Sequence, residues 1–268
     1  MSRLFISLFM LIALTPALAA NAAEPASAAD SPMATIRYCD YPVYPPISWR
    51  DNSGEVRGLA PHAVREVFAR LDMPVEVVVL GSWKRCLTDV AQGRVDMVIA
   101  YRTEGRSKDL LFSQVALLRE EVALFYNSDK PLTVNKLEDL KGYRGGLLFG
   151  ESYGQAFDKF VAENGNIEWV TSNRQNFGKL VRGRIDFIAQ ERRTGQLFVE
   201  HLAGAENIQV LPVPVAVDHL YFAVSKRSPL AAHMAEIDQE LQRIVDAGEV
   251  EQWLHDSERD YRTMQAAP

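Results

Sequence analysis

From residue 35 onward, short runs of β-branched and aromatic residues alternate with stretches whose apolar positions recur every three or four residues. This is the pattern of βαβ units and of the α/β class. A strand is predicted over 35–39. After the turn signal Asp51-Asn52-Ser53-Gly54, a helix over 59–71 places Ala60, Val64, Val67, Phe68 and Leu71 on one face. Residues 74–80, with Val75, Val77, Val78 and Val79 nearly continuous, read as a buried strand. A helix over 83–91 ends at Gly93, and a strand follows over 95–100. Further strands are predicted over 146–149, 185–189, 208–210 and 220–225, and further helices over 153–163, 177–181 and 195–202. The chain closes on a helix over 230–246, with Met234, Ile237, Leu241, Ile244 and Val245 on one face, and a short one over 250–254.

Within this pattern Gly93-Arg94-Val95-Asp96-Met97-Val98 recurs 90 residues later as Gly183-Arg184-Ile185-Asp186-Phe187-Ile188. Each copy closes a helix on a glycine and opens a core strand after a single aspartate. Two similar α/β lobes are therefore expected, with a cleft between them in which a small ligand binds.

The pattern ahead of residue 35 is different. After Arg3, residues 4–18 are almost wholly apolar, and small residues follow in Ala17-Leu18-Ala19 and Ala20-Asn21-Ala22. The run has 15 positions and contains Pro16, whereas a bilayer span needs about 20 apolar residues, so a secretory signal peptide over 1–22 is expected rather than a retained membrane helix. Cleavage is placed after Ala22, with Ala19 as the alternative. Residues 23–33 then read as a flexible leader, and the absence of a cysteine at the cleavage point points to a soluble exported product without a lipid anchor.

Composition adds mainly exclusions. Of the 268 residues 47% are hydrophobic and 24% charged, ordinary globular usage for one or two domains. A net charge of −6 argues against a nucleic-acid partner, which calls for a basic field, and in favour of a small solute. The five histidines form no metal-binding pair of the HExxH or HxxxH kind, so neither a metal nor another cofactor is expected. Export makes a disulfide between the two cysteines, Cys39 and Cys86, possible in principle, with two free thiols as the alternative.

Several motifs, taken in order, resemble one family. They are Tyr44-Pro45-Pro46-Ile47, Gly58-Leu59, Trp83, Gly93-Arg94-Val95-Asp96, Thr103-Glu104-Gly105-Arg106, Phe112-Ser113, Gly150-Glu151-Ser152-Tyr153-Gly154 and the run from Ala223 to Leu230. Together they are similar to family 3 periplasmic solute-binding proteins, the polar amino acid receptors of ABC importers. The resemblance implies a two-lobed type II fold, each lobe a βαβ-based sheet flanked by helices. Lobe 1 would comprise 34–119 and 217–268 and lobe 2 would comprise 120–216, with hinge strands near 118–121 and 214–218. It also brings Cys39 and Cys86 to the same edge of lobe 1, where a disulfide would brace the wall carrying Trp83.

The chemistry expected of the cleft follows from its candidates. Arg106 falls on the family's carboxylate-binding arginine, and its planar fork suits that anion; Arg102 is a possible substitute. Tyr44 and Trp83 are candidate aromatic walls, able to attract a cation by its approach to the ring face, and Tyr41 is a further lining candidate. The loop 150–154 precedes a helix, so its N–H groups and Ser152 can meet an anion, whereas Glu151 suits an ammonium group or simply a helix N-terminus. Tyr101 or Thr103 must supply the hydroxyl usually found ahead of the arginine. Where the family carries an acid for the α-ammonium this chain has Gln190, with Glu191 next to it, and strand alternation allows only one of the two to face the cleft easily.

These readings make the chain a monomeric periplasmic receptor, without catalytic residues, that captures an amino acid or related zwitterion for an inner-membrane ABC permease. Two alternatives stay open: an enzyme on the same scaffold, as in cyclohexadienyl dehydratases, using Glu151, Glu191 or Asp218 for proton transfer, and the ligand-binding partner of a membrane sensor.

Overall fold

The structure, a computed structural model, describes residues 35–266; the signal and leader segments expected over 1–22 and 23–33 lie outside them. The elements in the first part of the chain are β1 (Ile36–Asp40), β2 (Val43–Tyr44), β3 (Ser48–Arg50), β4 (Val56–Arg57), α1 (Leu59–Arg70), β5 (Val75–Val79), α2 (Trp83–Ala91), β6 (Met97–Tyr101) and β7 (Leu110–Phe112). The long strand β8 (Leu118–Asn127) leads into β9 (Arg144–Leu148), α3 (Gln155–Asn164), β10 (Asn166–Val170), α4 (Asn173–Val181), β11 (Phe187–Glu191), α5 (Arg192–Glu200) and β12 (Ile208–Val210). A second long strand, β13 (Ala216–Ser225), returns the chain to α6 (Met234–Asp246) and α7 (Glu249–Ala266). Among the described residues no helix is long and apolar enough to cross a membrane.

The strands form one curled mixed sheet in the order β10-β9-β11-β8-β13-β6-β1-β5, with β12 also on β8 and β7 also on β13. The two long strands hold its halves together: β8 and β13 pair antiparallel, Leu118 with Leu220 through Val122 with Ala216. Farther along, β8 pairs with β11 and β12, while β13 pairs with β6 and β7. The chain is thus two-lobed, and its path crosses from one lobe to the other twice.

Period-two alternation of the strands builds two core layers in each lobe. In lobe 1, Tyr38, Met97 and Phe222 face the apolar sides of α1, α6 and α7, whereas their neighbours Cys39, Val98 and Ala223 face α2. In lobe 2, Leu124 and Phe187 pack with Phe157 of α3, while Phe125 and Ile188 pack with Phe177 and Leu180 of α4. Cys39 and Cys86 are joined by a disulfide with a Cα–Cα distance of 5.7 Å, tying β1 to the helix that begins at Trp83.

Three expectations change. The valine run at 75–79 is half-buried, because β5 pairs only with β1 and forms an edge of the sheet. The last helix reaches Ala266: beyond Leu254 its buried positions thin to Ser257 and Tyr261, too sparse a stripe to announce a helix, and ion pairs of Arg259 with Asp256 and Arg262 with Glu258 support its polar faces. The strands 110–112 and 166–170, the extension of the hinge strand at 118–121 to Asn127, and the small sheet β2-β3-β4 were not predicted as such. The last is made of elements of two and three residues, below the length at which alternation becomes legible.

Candidate functional site

Sheets of this kind place ligands beyond the carboxyl ends of their strands, and three such ends converge between the lobes. Asp40 ends β1, Tyr101 ends β6 and Glu191 ends β11. Together with Tyr41, Tyr44, Trp83, Arg106, Glu151 and Ser152 they line a narrow cavity of about 60 Å³, floored by Ile47, Ile99 and Leu220.

Lobe 1 supplies the aromatic walls and the cation. Ser82 caps α2, its hydroxyl accepting the Arg85 N–H at 3.3 Å, and so fixes Trp83 at the first helical position. Arg106 lies 5.8 Å from the Trp83 ring centroid. Its backbone N–H donates to Thr103 Oγ1 at 3.2 Å and its Nη1 to the Tyr101 carbonyl at 3.0 Å, which orients the guanidinium. Burial pulls its pKa below the usual arginine value, against the pull of the nearby Glu151 carboxylate. Arg102 is directed elsewhere: its guanidinium sits 4.4 Å from the Tyr221 centroid and donates to the Ser113 carbonyl.

Lobe 2 supplies two acids. Burial pushes Glu151 up to about 8, helped by the Glu191 charge and opposed by Arg106. Burial likewise raises Glu191 to about 7, although the Tyr101 hydroxyl and the Gln190 amide stabilise its charged form. A hydrogen-bond chain crosses the cleft: Tyr101 donates to Glu191 Oε1 at 3.1 Å, and the Tyr44 and Tyr101 hydroxyls lie 3.2 Å apart. Asp40, 5% exposed on the lobe 1 side, is raised to about 6 by burial while the Tyr41 N–H holds one of its oxygens at 2.6 Å.

The residues singled out from sequence therefore divide. Tyr41, Tyr44, Trp83, Tyr101, Arg106, Glu151, Ser152 and Glu191 line the cavity. Thr103 does not; it braces the Arg106 turn and lies among Glu104, Gln155 and Lys159 at the outer mouth. Gln190 is also set back, donating to Glu191, so Glu191 is the member of that pair on the cavity. The loop 150–154 is arranged differently from an anion cradle: Asp158, in the first turn of α3, accepts both the Tyr153 N–H at 2.8 Å and the Ser152 hydroxyl at 2.5 Å. Two of its donors are thus engaged by an acid of the helix that follows. Asp40 and Ser48 were missed, yet the end of the first predicted strand was a sufficient signal for Asp40. Among the described residues no group of three His, Cys, Asp or Glu side chains is arranged to hold a metal ion.

Comparisons with known proteins agree with this architecture. An ancestral arginine-binding protein bound to arginine superposes with a TM-score of 0.72 at 19% identity, covering 84% of this chain and 99% of that one. A histidine kinase sensor domain with similarity to periplasmic binding proteins gives 0.71 at 21%, covering 82% and 96%. An ancestral amino acid-binding protein that is a precursor of cyclohexadienyl dehydratase gives 0.68 at 21%, covering 83% and 94%. At such identities these likenesses speak for the fold alone. No curated sequence matches the chain. The sequence profile described as bacterial extracellular solute-binding proteins, family 3, matches residues 36–256, most of the chain and both lobes, and the chain belongs to that family.

Proposed function

We propose that the protein is an exported, monomeric receptor that captures a small amino acid-like solute bearing at least one cationic group and presents it to an inner-membrane ABC permease. Residues 34–119 with 217–268 would move as one lobe and 120–216 as the other, closing on the ligand. The observation that carries this reading is the charge division across the cavity: one guanidinium, Arg106, against the carboxyls of Asp40, Glu151 and Glu191. A ligand carboxylate suits the Arg106 fork. An ammonium group suits Glu191 and Glu151, and Tyr44 and Trp83 offer ring faces to aliphatic or cationic parts. Two polar atoms of residues on the cavity, Asp40 Oδ2 and Ser48 Oγ, lack a well-aligned hydrogen bond and favour a ligand rich in N–H groups. That arginine is bound by two of the similar folds fits the same chemistry.

Calorimetric titration with L-arginine, L-lysine, L-glutamine and L-glutamate tests the reading. Saturable binding of a basic or neutral amino acid, lost in Arg106→Ala, is expected. Binding that survives this substitution contradicts it.

A second reading has one observation in its favour, namely that Glu151 and Glu191 are held near neutrality by burial and so are poised for proton transfer. It makes the chain a dehydratase on the same scaffold. The excess of acids disfavours a substrate with two carboxylates, and incubation with prephenate and with arogenate separates the readings: product formation supports the enzyme.

A further inference from the structure

One acid beside the cavity is left out of the lining set. Glu120, on β8, is 1% exposed, and neither of its carboxylate oxygens has a well-aligned hydrogen bond. Arg193 of α5 is its counter-charge, with Nη1 3.3 Å from Oε1; the same nitrogen also donates to the Arg119 carbonyl at 3.2 Å. Strand register puts further acids beside it. Val122, two residues along β8 and therefore on the same face, pairs with Glu191, and Glu120 itself pairs with Asp218 of β13. Tyr44 of β2 and Tyr101 of β6 face it from lobe 1, and Glu258 of α7 adds another negative charge. Arg193 is the counter-charge paired with Glu120; Glu258 has a cation of its own in Arg262, Arg106 answers Glu151 and Asp218, and Glu191 is held by the neutral donors Tyr101 and Gln190. A carboxylate buried this deeply, with one partly exposed arginine as its ion-pair partner, is costly when charged and tolerable when neutral.

Building on the reading of the cleft as a site for a cationic solute, we infer that Glu120 and Glu191 together retain a proton in the free protein and release it to solvent when the ligand's cation reaches Glu191. The exchange conserves charge: a neutral carboxyl becomes a carboxylate, the ligand cation takes over the positive charge, and the proton leaves to water. Glu120 is then a specificity-determining residue that does not touch the ligand. It favours cations over neutral solutes because only a cation compensates the second negative charge. Burial first, and the Glu191 charge after it, push Glu120 up to about 8 against Arg193, in keeping with a retained proton at neutral pH.

The linkage has a definite sign. A carboxyl whose pKa is higher in the folded than in the unfolded chain contributes stability at low pH and loses it as pH rises toward about 8. The free wild-type protein should therefore melt at progressively lower temperature from pH 5.5 to 8, and Glu120→Gln should flatten that slope. Calorimetry with L-arginine at pH 7 in two buffers of different ionisation enthalpy should read release of a substantial fraction of one proton, and a smaller release in Glu120→Gln, in which Glu151 and Glu191 remain to titrate. Heat independent of buffer overturns the inference, as does an unchanged stability slope in the variant. Absence of any arginine heat counts against the reading of the cleft instead, and the ligand-free slope still decides whether Glu120 holds the proton. If the variant does not fold, carboxyl ¹³C NMR of the wild type replaces it: titration of the assigned Glu120 carboxyl above about pH 6.5 supports the inference, and titration below that overturns it.

Discussion

The copies of the Gly-Arg-x-Asp motif are alike where they build the fold and unlike where they meet the cleft. Ser82 and Ser172 cap α2 and α4 in the same way, each hydroxyl accepting the N–H three residues on at 3.3 Å. Gly93 and Gly183 take φ values of +73° and +62° to end those helices, a conformation that glycine reaches at least cost. Asp96 then accepts the Arg37 N–H at 2.7 Å, and Asp186 accepts the Arg144 N–H at 2.8 Å. Both arginine side chains donate back, to the Arg94 and Arg184 carbonyls. At the far ends of the strands the likeness stops. Tyr101 and Glu191, separated by the repeat length of 90 residues, hydrogen-bond to one another across the cavity. The turns carry the architecture, and the strand ends with the loops beside them carry the groups that select a ligand: aromatic rings, Arg106 and Asp40 from lobe 1, Glu151 and Glu191 from lobe 2.

The sharpest way to break this comparison is to remove the cation from its lobe. Arg106→Ala should weaken ligand binding by about 2–5 kcal/mol, since it leaves the ligand carboxylate buried without its counter-charge, while the far-ultraviolet spectrum stays that of the parent. Next in size is the disulfide, present in lobe 1 and without a counterpart in lobe 2. Replacing Cys39 and Cys86 by alanine should cost about 2–4 kcal/mol of stability in a denaturant titration. Hydrogen exchange should show the loss concentrated in β1 and α2; equal loosening of both lobes counts against the local brace.

A finer comparison sets the two aspartates against each other. Asp96 also accepts the Ser228 hydroxyl at 2.6 Å, whereas the backbone bond is the side-chain hydrogen bond described for Asp186. Asp96→Ala should therefore cost about 2–3 kcal/mol and Asp186→Ala about 1–2 kcal/mol by chemical denaturation. The reverse order would show that the repeat's shared geometry does not carry its stability. Smallest is Tyr101→Phe, which removes the bond across the cleft to Glu191 and should weaken binding by about 0.5–1.5 kcal/mol in calorimetry.

What the sequence made legible follows the same division. Helix 83–91 and the strand 208–210 match their predicted limits because a serine or a turn bounds a clear pattern. The repeat was visible because both copies need the same glycine turn and the same aspartate to accept an N–H from a neighbouring strand. β10 and the end of α7 were harder to read, since their residues are mostly exposed and tertiary pairing, rather than periodicity, holds them in place. Within the cavity Arg106, Trp83 and Tyr44 stood out through the family's motif order. Glu120 did not, because its environment is created by residues far apart in the chain, Glu191, Arg193 and Asp218. Whether Gln190 or Glu191 reaches the cavity likewise depends on how β11 ends and α5 begins, with Glu191 as the residue at that junction.

The claim that the cleft selects a cation is tested most directly by thermal shift of the ligand-free protein at pH 7 against L-arginine, L-lysine, L-glutamine and L-glutamate. At 100 times its dissociation constant a ligand stabilises by about 2.7 kcal/mol, a clear rise in melting temperature. The account predicts the largest rise with arginine or lysine and none with glutamate. Stabilisation by glutamate that exceeds that by both basic amino acids would contradict it.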